Sequence, residues 1–453
     1  MNILFLMADE MAASALGSAD VRTPNLDRLC ARGRVFSAAY TPSPICVPTR
    51  AAIACGRPVH EIGFWSSAEP YDGSVRSWMH ALRDGGVHTA SIGKLHYRGG
   101  DDYGFTEEIL PMQVAGDGWV QGLLRQPLAD YTATREMSED IGAGLTDYTR
   151  FDLQVTQSAC NWLAAPARAN APWAAFVSWV SPHYPLRAPE EYFDLYHPED
   201  FEAEAEPVPD HPVLTEIAAF FDHDRYFSPR SRGTARAAYY ALCTFLDAQV
   251  GKVLKSLEAA GLAEDTVVVF ASDHGEMLGE KGFWGKSTMY DSSARVPLVI
   301  AGPGVSAGTC ETPVALTDLA ATFAGICKAP WDGRGTSLLD PIPAENAVIS
   351  EYHDGGSPVG ITMLRWRNWK YIHYAEGHPP QLFDLAEDPH ETTDLAAARP
   401  NTAEDLHTRL TAIVDPEAAN ARALRDQARR IDDLGGRGAL ESLPQWNFTP
   451  TGA

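Results

Sequence analysis

Five continuous apolar runs of strand length punctuate the first two thirds of the chain: Ile3–Ala8, Val87–Ile92, Trp173–Val180, Thr266–Ala271 and Pro297–Ala301. Unbroken apolarity, as opposed to alternation, marks strands covered on both faces, as in a parallel sheet between helices. Ala235–Ala260 follows a different period. Tyr239, Leu242, Leu246, Val250, Val253, Leu254 and Leu257 recur at helical spacing and stop at Gly261, predicting one long helix. Such alternation predicts an α/β fold: a large doubly wound, mixed and mostly parallel sheet flanked by helices. Beyond Pro341 the runs shorten and alternate, over Ala347–Tyr352, Ile361–Trp366, Lys370–Tyr374 and Gln381–Leu385, which predicts a small antiparallel sheet. Helical patterns at Thr402–Val414 and Pro416–Asp433 follow. The expected division is a main domain over 1–340 and a smaller α+β domain over 341–453. Asp101–Gln154 and Pro189–Arg232 show weak periodicity and read as long insertions that roof a site or build an oligomer contact. The tail, with Trp446 and Phe448 among Gly and Pro, reads as an arm docked on a partner subunit, hence a homodimer or higher homo-oligomer.

Ligands of open parallel sheets bind beyond the carboxyl ends of the strands. The residues there are reactive: Asp9-Glu10 after the first run, Lys94 and His96 after the second, His183 after the third, and Asp273-His274-Gly275-Glu276 after the fourth. Any one of them alone is more often a helix cap, a solvent-facing lysine or a satisfied histidine. Four exits carrying such groups on one rim point to a shared site. Carboxylates from two strands plus an imidazole suit a divalent cation, whose identity stays open: hard oxygens favour calcium, magnesium or manganese, while His274 admits zinc or manganese.

Cys46-Val47-Pro48-Thr49-Arg50 runs into Ala51-Ala52-Ile53-Ala54-Cys55-Gly56. Pro48 suits a first helical turn, the alanines propagate the helix, and Gly56 stops it. Cys46 thereby lies at the positive end of a helix, with Arg50 able to fork onto a tetrahedral oxyanion. The pattern asks for an anion and a nucleophile. Charge limits the partners: the net charge of −24 argues against nucleic acid, polyanionic glycans or an anionic membrane, so an anionic small substrate needs a local positive pocket. The seven cysteines are scattered with no C-x-x-C pair, forming neither a disulfide framework nor a zinc cluster. The start lacks a signal-peptide pattern and no run approaches a membrane span, so a cytoplasmic protein is expected. No phosphate-binding P-loop, dinucleotide loop or G-x-S-x-G elbow is present.

In order and spacing these pieces resemble the sulfatase family of the alkaline phosphatase superfamily. They are Asp9-Glu10, Thr23-Pro24-Asn25-Leu26-Asp27-Arg28-Leu29, Cys46-Val47-Pro48-Thr49-Arg50, Gly93-Lys94-Leu95-His96, Ser181-Pro182-His183-Tyr184-Pro185, Ser272-Asp273-His274-Gly275-Glu276, Trp284-Gly285-Lys286 and Leu382-Phe383-Asp384-Leu385. The resemblance implies an alkaline-phosphatase-like fold and a sulfuric ester hydrolase acting on small sulfate monoesters of the aryl sulfate type. It further implies that a formylglycine-generating enzyme converts Cys46 to formylglycine, whose hydrate attacks sulfur through one hydroxyl and expels sulfate through the other. Asp9, Glu10, Asp273 and His274, with the modified Cys46, would hold one divalent metal, calcium first, with manganese, magnesium or zinc as alternatives. Arg50 would steady the aldehyde hydrate, Lys94 and Lys286 neutralise sulfate oxygens, and His96 orient the nucleophile. His183 or Lys286 would protonate the leaving oxygen. Two features depart from many arylsulfatases: Glu10 stands where Asp is common, and His274 where Asn is. His274 resembles choline sulfatases and phosphonate monoester hydrolases, and Met277-Leu278-Gly279-Glu280-Lys281-Gly282 resembles the choline-sulfatase-like branch, which adds choline sulfate and phosphonate monoesters or phosphodiesters as alternative substrates. A choline head calls for aromatic rings, and Trp65, Tyr97, Tyr184 and Trp284 lie near the motifs.

Overall fold

A computed structural model of the chain describes residues 1–169 and 171–443. Its centre is an eight-stranded sheet whose strands, in chain order, are β1 (Asn2–Asp9), β2 (Arg34–Phe36), β3 (His88–Arg98), β4 (Glu107–Val114), β5 (Trp173–Pro182), β6 (Thr266–Ser272), β7 (Leu298–Ala301) and β8 (Gly308–Cys310). The spatial order is β8-β2-β7-β6-β1-β5-β3-β4. Strand β1 pairs parallel with β5 and β6, and β3 pairs parallel with β5 and β4. The apolar runs therefore become the buried centre of a mixed, mostly parallel sheet. The last run, β7, is antiparallel to β6 and β2. After β6 the chain builds loops at the carboxyl end and has no crossover helix to carry it back, so its next strand runs the other way.

Alternate side chains of β1 feed two cores. Leu4, Leu6 and Ala8 pack with helices α1 (Pro24–Arg32), α3 (Asp147–Ala164) and α4 (Pro229–Ala259). Ile3, Phe5 and Met7 pack on the opposite face with α2 (Cys46–Cys55) and α5 (Asp318–Cys327). The expected insertion over Asp101–Gln154 is partly corrected: it holds the edge strand β4 and the first turns of α3. An edge strand has one open side, so β4 keeps polar Glu107, Glu108 and Gln113 around a short apolar stretch, Ile109–Met112, of which only Met112 is buried. Helix α3 buries Tyr148, Phe151, Val155, Ala159 and Trp162, a helical spacing diluted by its polar outer face.

A second sheet is antiparallel throughout, in the order β9 (Ala347–Tyr352), β10 (Ile361–Trp366), β11 (Trp369–Tyr374) and β12 (Gln381–Asp384). One of its faces buries Leu364, Tyr371 and Leu382 under α6 (Pro400–Ile413). The other places Ile361, Met363, Ile372 and Phe383 against Tyr40, Ile45, Met277 and Met289, beside the loops that carry the reactive residues. Helix α7 (Pro416–Asp433) follows with Asp415 as its cap. Among the described residues no helix is long and apolar enough to cross a membrane. The tail reading on Trp446 and Phe448 falls outside the described residues.

Candidate active site

Helix α2 begins at Cys46 itself. Ile45 is extended, Pro48 falls in the first turn, and Gly56 closes the helix in the left-handed region at φ 58°. All ten residues of the helix are buried. Arg50 lies one turn below Cys46 and faces the carboxylates at the neighbouring strand ends. Its Nε donates to Asp273 Oδ2 at 2.8 Å and its Nη2 to Asp9 Oδ2 at 3.3 Å, while Nη1 donates to the Lys94 carbonyl at 2.9 Å and Ser178 Oγ at 3.0 Å. Every arm of the guanidinium is held by protein, and it ties the ends of β1, β3, β5 and β6 together. Asp9 and Asp273 are acidic neighbours on adjacent strand ends, and Arg50 and Lys94, which also contacts Asp9 Oδ2, offset their repulsion.

Asp9, Cys46, Asp273 and His274 each bring one donor atom within 4.8 Å of the others, all buried. His274 Nδ1 lies 3.0 Å from the Gly275 carbonyl, which only accepts, so Nδ1 carries the proton. Its Nε2 lone pair then faces inward, 3.1 Å from Cys46 Sγ. Two carboxylates, an imidazole lone pair and a group at position 46 fit a divalent cation. Glu10, the expected fourth protein ligand, groups instead with Asp9 and His183. Its Oε2 lies 3.1 Å from Lys286 Nζ and 3.3 Å from His183 Nε2. A left-handed φ of 69° turns Glu10 this way, held by its N–H on Asp273 Oδ1 and its carbonyl on the Tyr239 hydroxyl.

Lys286 Nζ completes the floor, 2.8 Å from His183 Nε2 and 3.6 Å from Cys46 Sγ. His183 Nδ1 donates to the Tyr184 carbonyl at 2.7 Å, which leaves Nε2 as the acceptor of a Lys286 hydrogen. Burial, reinforced by Lys286, pushes His183 well below the usual imidazole range, and burial with the charges of Lys94 and Arg50 does the same to His96. Burial alone would raise Asp9, yet the charges of Lys94, Arg50 and Lys286 hold it well below the usual carboxylate range. Burial pushes Glu10 up to about 8, with Lys286 opposing and Glu276 adding to the rise. Burial, aided by Asp9, pushes the Cys46 thiol up to about 12 against the pull of Lys286 and Lys94. A thiol so placed stays protonated at neutral pH and is a weak nucleophile as it stands.

Above this floor opens a cavity of about 210 Å³. Glu10, Cys46, Lys94, His96, His183 and Lys286 reach it, and its walls are aromatic: Trp119, Tyr131, Tyr148, Tyr184, Phe221 and Trp284. Of the four aromatic residues singled out by sequence, Tyr184 and Trp284 line the cavity. Trp65 instead packs against His353, and Tyr97 against Tyr71 and Tyr103, both within the core. The other wall residues come from the two weakly periodic segments, as expected of a roof, but nothing in local pattern marked Trp119, Tyr131 or Phe221. Sequence reasoning also missed Ser178 and Tyr239, which act through Arg50 and Glu10 and lie inside apolar elements without a motif of their own.

A model of the sulfatase family matches residues 1–329, and a model of the N-sulphoglucosamine sulphohydrolase C-terminal region matches residues 279–415. The choline-sulfatase of Rhizobium meliloti (strain 1021) is 32% identical over 462 residues, covering 95% of this chain and 90% of that protein. Arylsulfatase K of Homo sapiens is 30% identical over 461 residues, covering 91% of this chain and 82% of that protein. The phosphonate monoester hydrolase of Agrobacterium radiobacter shares the fold, with a TM-score of 0.75 at 24% identity over 94% of this chain and 95% of that one. With the first model running from β1 through α5 and relatives of this identity along nearly the whole length, the chain belongs to the sulfatase family.

Proposed function

We propose that this sulfatase hydrolyses small sulfate monoesters, with Cys46 as the precursor of a formylglycine supplied by a separate modifying enzyme. The observation that carries the reading is the position of Cys46: a buried thiol pushed up to about 12, at a helix start, 3.1 Å from His274 Nε2 and 3.6 Å from Lys286 Nζ. A side chain in that place must accept an anionic group, and the thiol in its present form is poorly suited to do so. Asp9, Asp273 and His274 would hold the divalent cation, which supplies Lewis acidity to the group at position 46. The aldehyde hydrate supplies two hydroxyls on one carbon, one to take the sulfuryl group and one to release it.

The remaining work falls to side chains. Lys94 and Lys286 face the cavity floor as positive charges, placed to neutralise sulfate oxygens as charge moves toward the leaving group. Arg50 helps keep Asp9 ionised and holds Asp9 and Asp273 in place. Lys286 carries the hydrogens at the leaving side, and His183, whose proton sits on Nδ1, accepts from it through Nε2. Lys286 is therefore the donor to the leaving oxygen, with His183 orienting it. The test is kcat/KM for a matched aryl sulfate and aryl phosphonate monoester, with and without chelator. A preference for the sulfate that chelation abolishes supports the reading, and a preference for the phosphonate overturns it in favour of a phosphonate monoester hydrolase.

Choline sulfate is a specific second reading, favoured by the aromatic walls and by the likeness to a choline-sulfatase. Rings around a quaternary ammonium stabilise it by roughly 0.5–2 kcal/mol per well-placed contact. Sulfate release from choline sulfate exceeding that from 3,3-dimethylbutyl sulfate, whose head group carries no charge, by about tenfold or more supports it, since each 1.4 kcal/mol is about tenfold. Equal rates remove it.

A further inference from the structure

The small antiparallel sheet reaches the loops of the site through a buried lysine. Lys370, on β11, is fully buried. Its Nζ donates to the Met289 carbonyl at 3.0 Å, contacts Asp291 Oδ1, and lies 2.6 Å from Glu391 Oε1. Glu391 Oε2 in turn accepts the Asp291 N–H at 2.7 Å. Tyr40 and Arg295 donate to the Asp291 carboxylate from the main sheet's side, at 3.0 and 2.8 Å. Lys370 and Glu391 thus grip residues 289–291 by backbone and side chain together.

That segment is the far end of a short bracket that begins at Gly285. The Gly285 N–H is held by Glu276 Oε1 at 2.6 Å, and Ser287, at a left-handed φ of 78°, donates its N–H to the Pro44 carbonyl at 3.1 Å, two residues before Cys46. Lys286 sits between these two anchors. At the other end the Ser293 carbonyl accepts the Gly275 N–H at 2.8 Å, next to His274, and a Cβ on Gly275 would lie 2.0 Å from the Ser292 carbonyl. The bracket therefore touches the floor on both sides, and its run between Ser287 and Ser293 is held by the grip of Lys370 together with Thr288 on Met277 and Tyr290 on Gln381.

We propose that Lys370 is a positioning residue that sets the place of Lys286 through residues 289–291, so that the small sheet takes part in catalysis without touching substrate. The proposal rests on the sulfate ester reading for its kinetic readout, and a second readout is independent of activity. The first is a double-mutant cycle on an aryl sulfate with Lys370→Met, Lys286→Ala and the double variant. Lys370→Met is expected to lower kcat about 10- to 100-fold, the loss that an ångström of misplacement brings, with KM changed less than about threefold. In the Lys286→Ala background the same substitution is expected to change kcat by less than about twofold, because its effect runs through Lys286. Wild-type kcat in a folded Lys370→Met, or a full multiplicative loss in the double variant, overturns the proposal. If Lys370→Met fails to fold, Glu391→Gln replaces it in the same cycle under the same criteria. The second readout is hydrogen exchange: peptides over 285–294 should exchange faster in the variant while those over β9 and β10 keep their rates. Unchanged exchange over 285–294 overturns the grip, whereas a wild type inactive on every sulfate ester overturns only the functional reading.

Discussion

Arg50 and Lys286 divide the positive charge of the floor into two duties. Arg50 is fully engaged with Asp9, Asp273, Ser178 and the Lys94 carbonyl, so its charge maintains the carboxylate pair. Arg50→Met leaves two buried carboxylates short of a partner and is expected to cost about 3–5 kcal/mol, read by urea unfolding. A cost below about 1 kcal/mol would mean that Lys94 alone balances the pair. Lys286 faces the cavity and points its hydrogens at His183 Nε2 and Cys46 Sγ. Lys286→Ala is expected to lower kcat/KM about 10²- to 10³-fold, the loss typical of removing one donor to a developing anion. The drop should be larger for an alkyl sulfate than for 4-nitrophenyl sulfate, whose leaving oxygen needs less help; equal drops for both would assign the proton to another group.

Strand β3 shows how an element delivers its residue. Gly93 adopts φ 101°, and a Cβ there would lie 2.2 Å from the Ser178 carbonyl on β5 and 2.9 Å from Val155 on α3. Only glycine lets β3 turn at this point, where its register with β4 shifts, so that Lys94 can meet Asp9 and offer its carbonyl to Arg50. Gly93→Ala is expected to destabilise by about 2 kcal/mol or more and to weaken activity with it, measured by thermal unfolding beside kcat/KM. What could be read ahead of the structure follows from the same physics. Strands covered on both faces, such as β1, β5 and β6, must be apolar throughout, and the residues that leave them at the carboxyl end stand out against that background. Strand β4, open on one side, and helix α3, wetted on one face, lacked that contrast. The partners of Arg50 were not legible because a spacing of four places it below Cys46 but says nothing of the carboxylates waiting on neighbouring strands. The cavity walls were invisible for a related reason: Trp119, Tyr131 and Phe221 converge from segments far apart in sequence.

The main body and the small sheet are joined by buried ionic contacts at Lys370 and at Glu351. Glu351 Oε2 lies 2.9 Å from His60 Nδ1, and Oε1 lies 3.7 Å from His353 Nε2. Burial would raise this carboxyl, but the hydrogen bond and charge of His60, with the His353 ring nearby, bring it down to about 2 from 4.5. A depressed carboxyl stabilises the fold above its unfolded value, and that contribution is lost as pH falls from about 4.5 through about 2. Glu351→Gln should therefore remove about 3 kcal/mol of stability at pH 6 and much less near pH 2.5, by urea unfolding at both values. A difference independent of pH would contradict the ionised state of Glu351. The whole assembly of strands, bracket and cavity serves one position, and the central claim is that Cys46 is a precursor. The most direct test is the mass of the Cys46 peptide from protein made together with a formylglycine-generating enzyme and shown to release sulfate. The account predicts the aldehyde or its hydrate at position 46, with activity rising in proportion to its fraction. An active preparation whose Cys46 peptide carries only the thiol would contradict it.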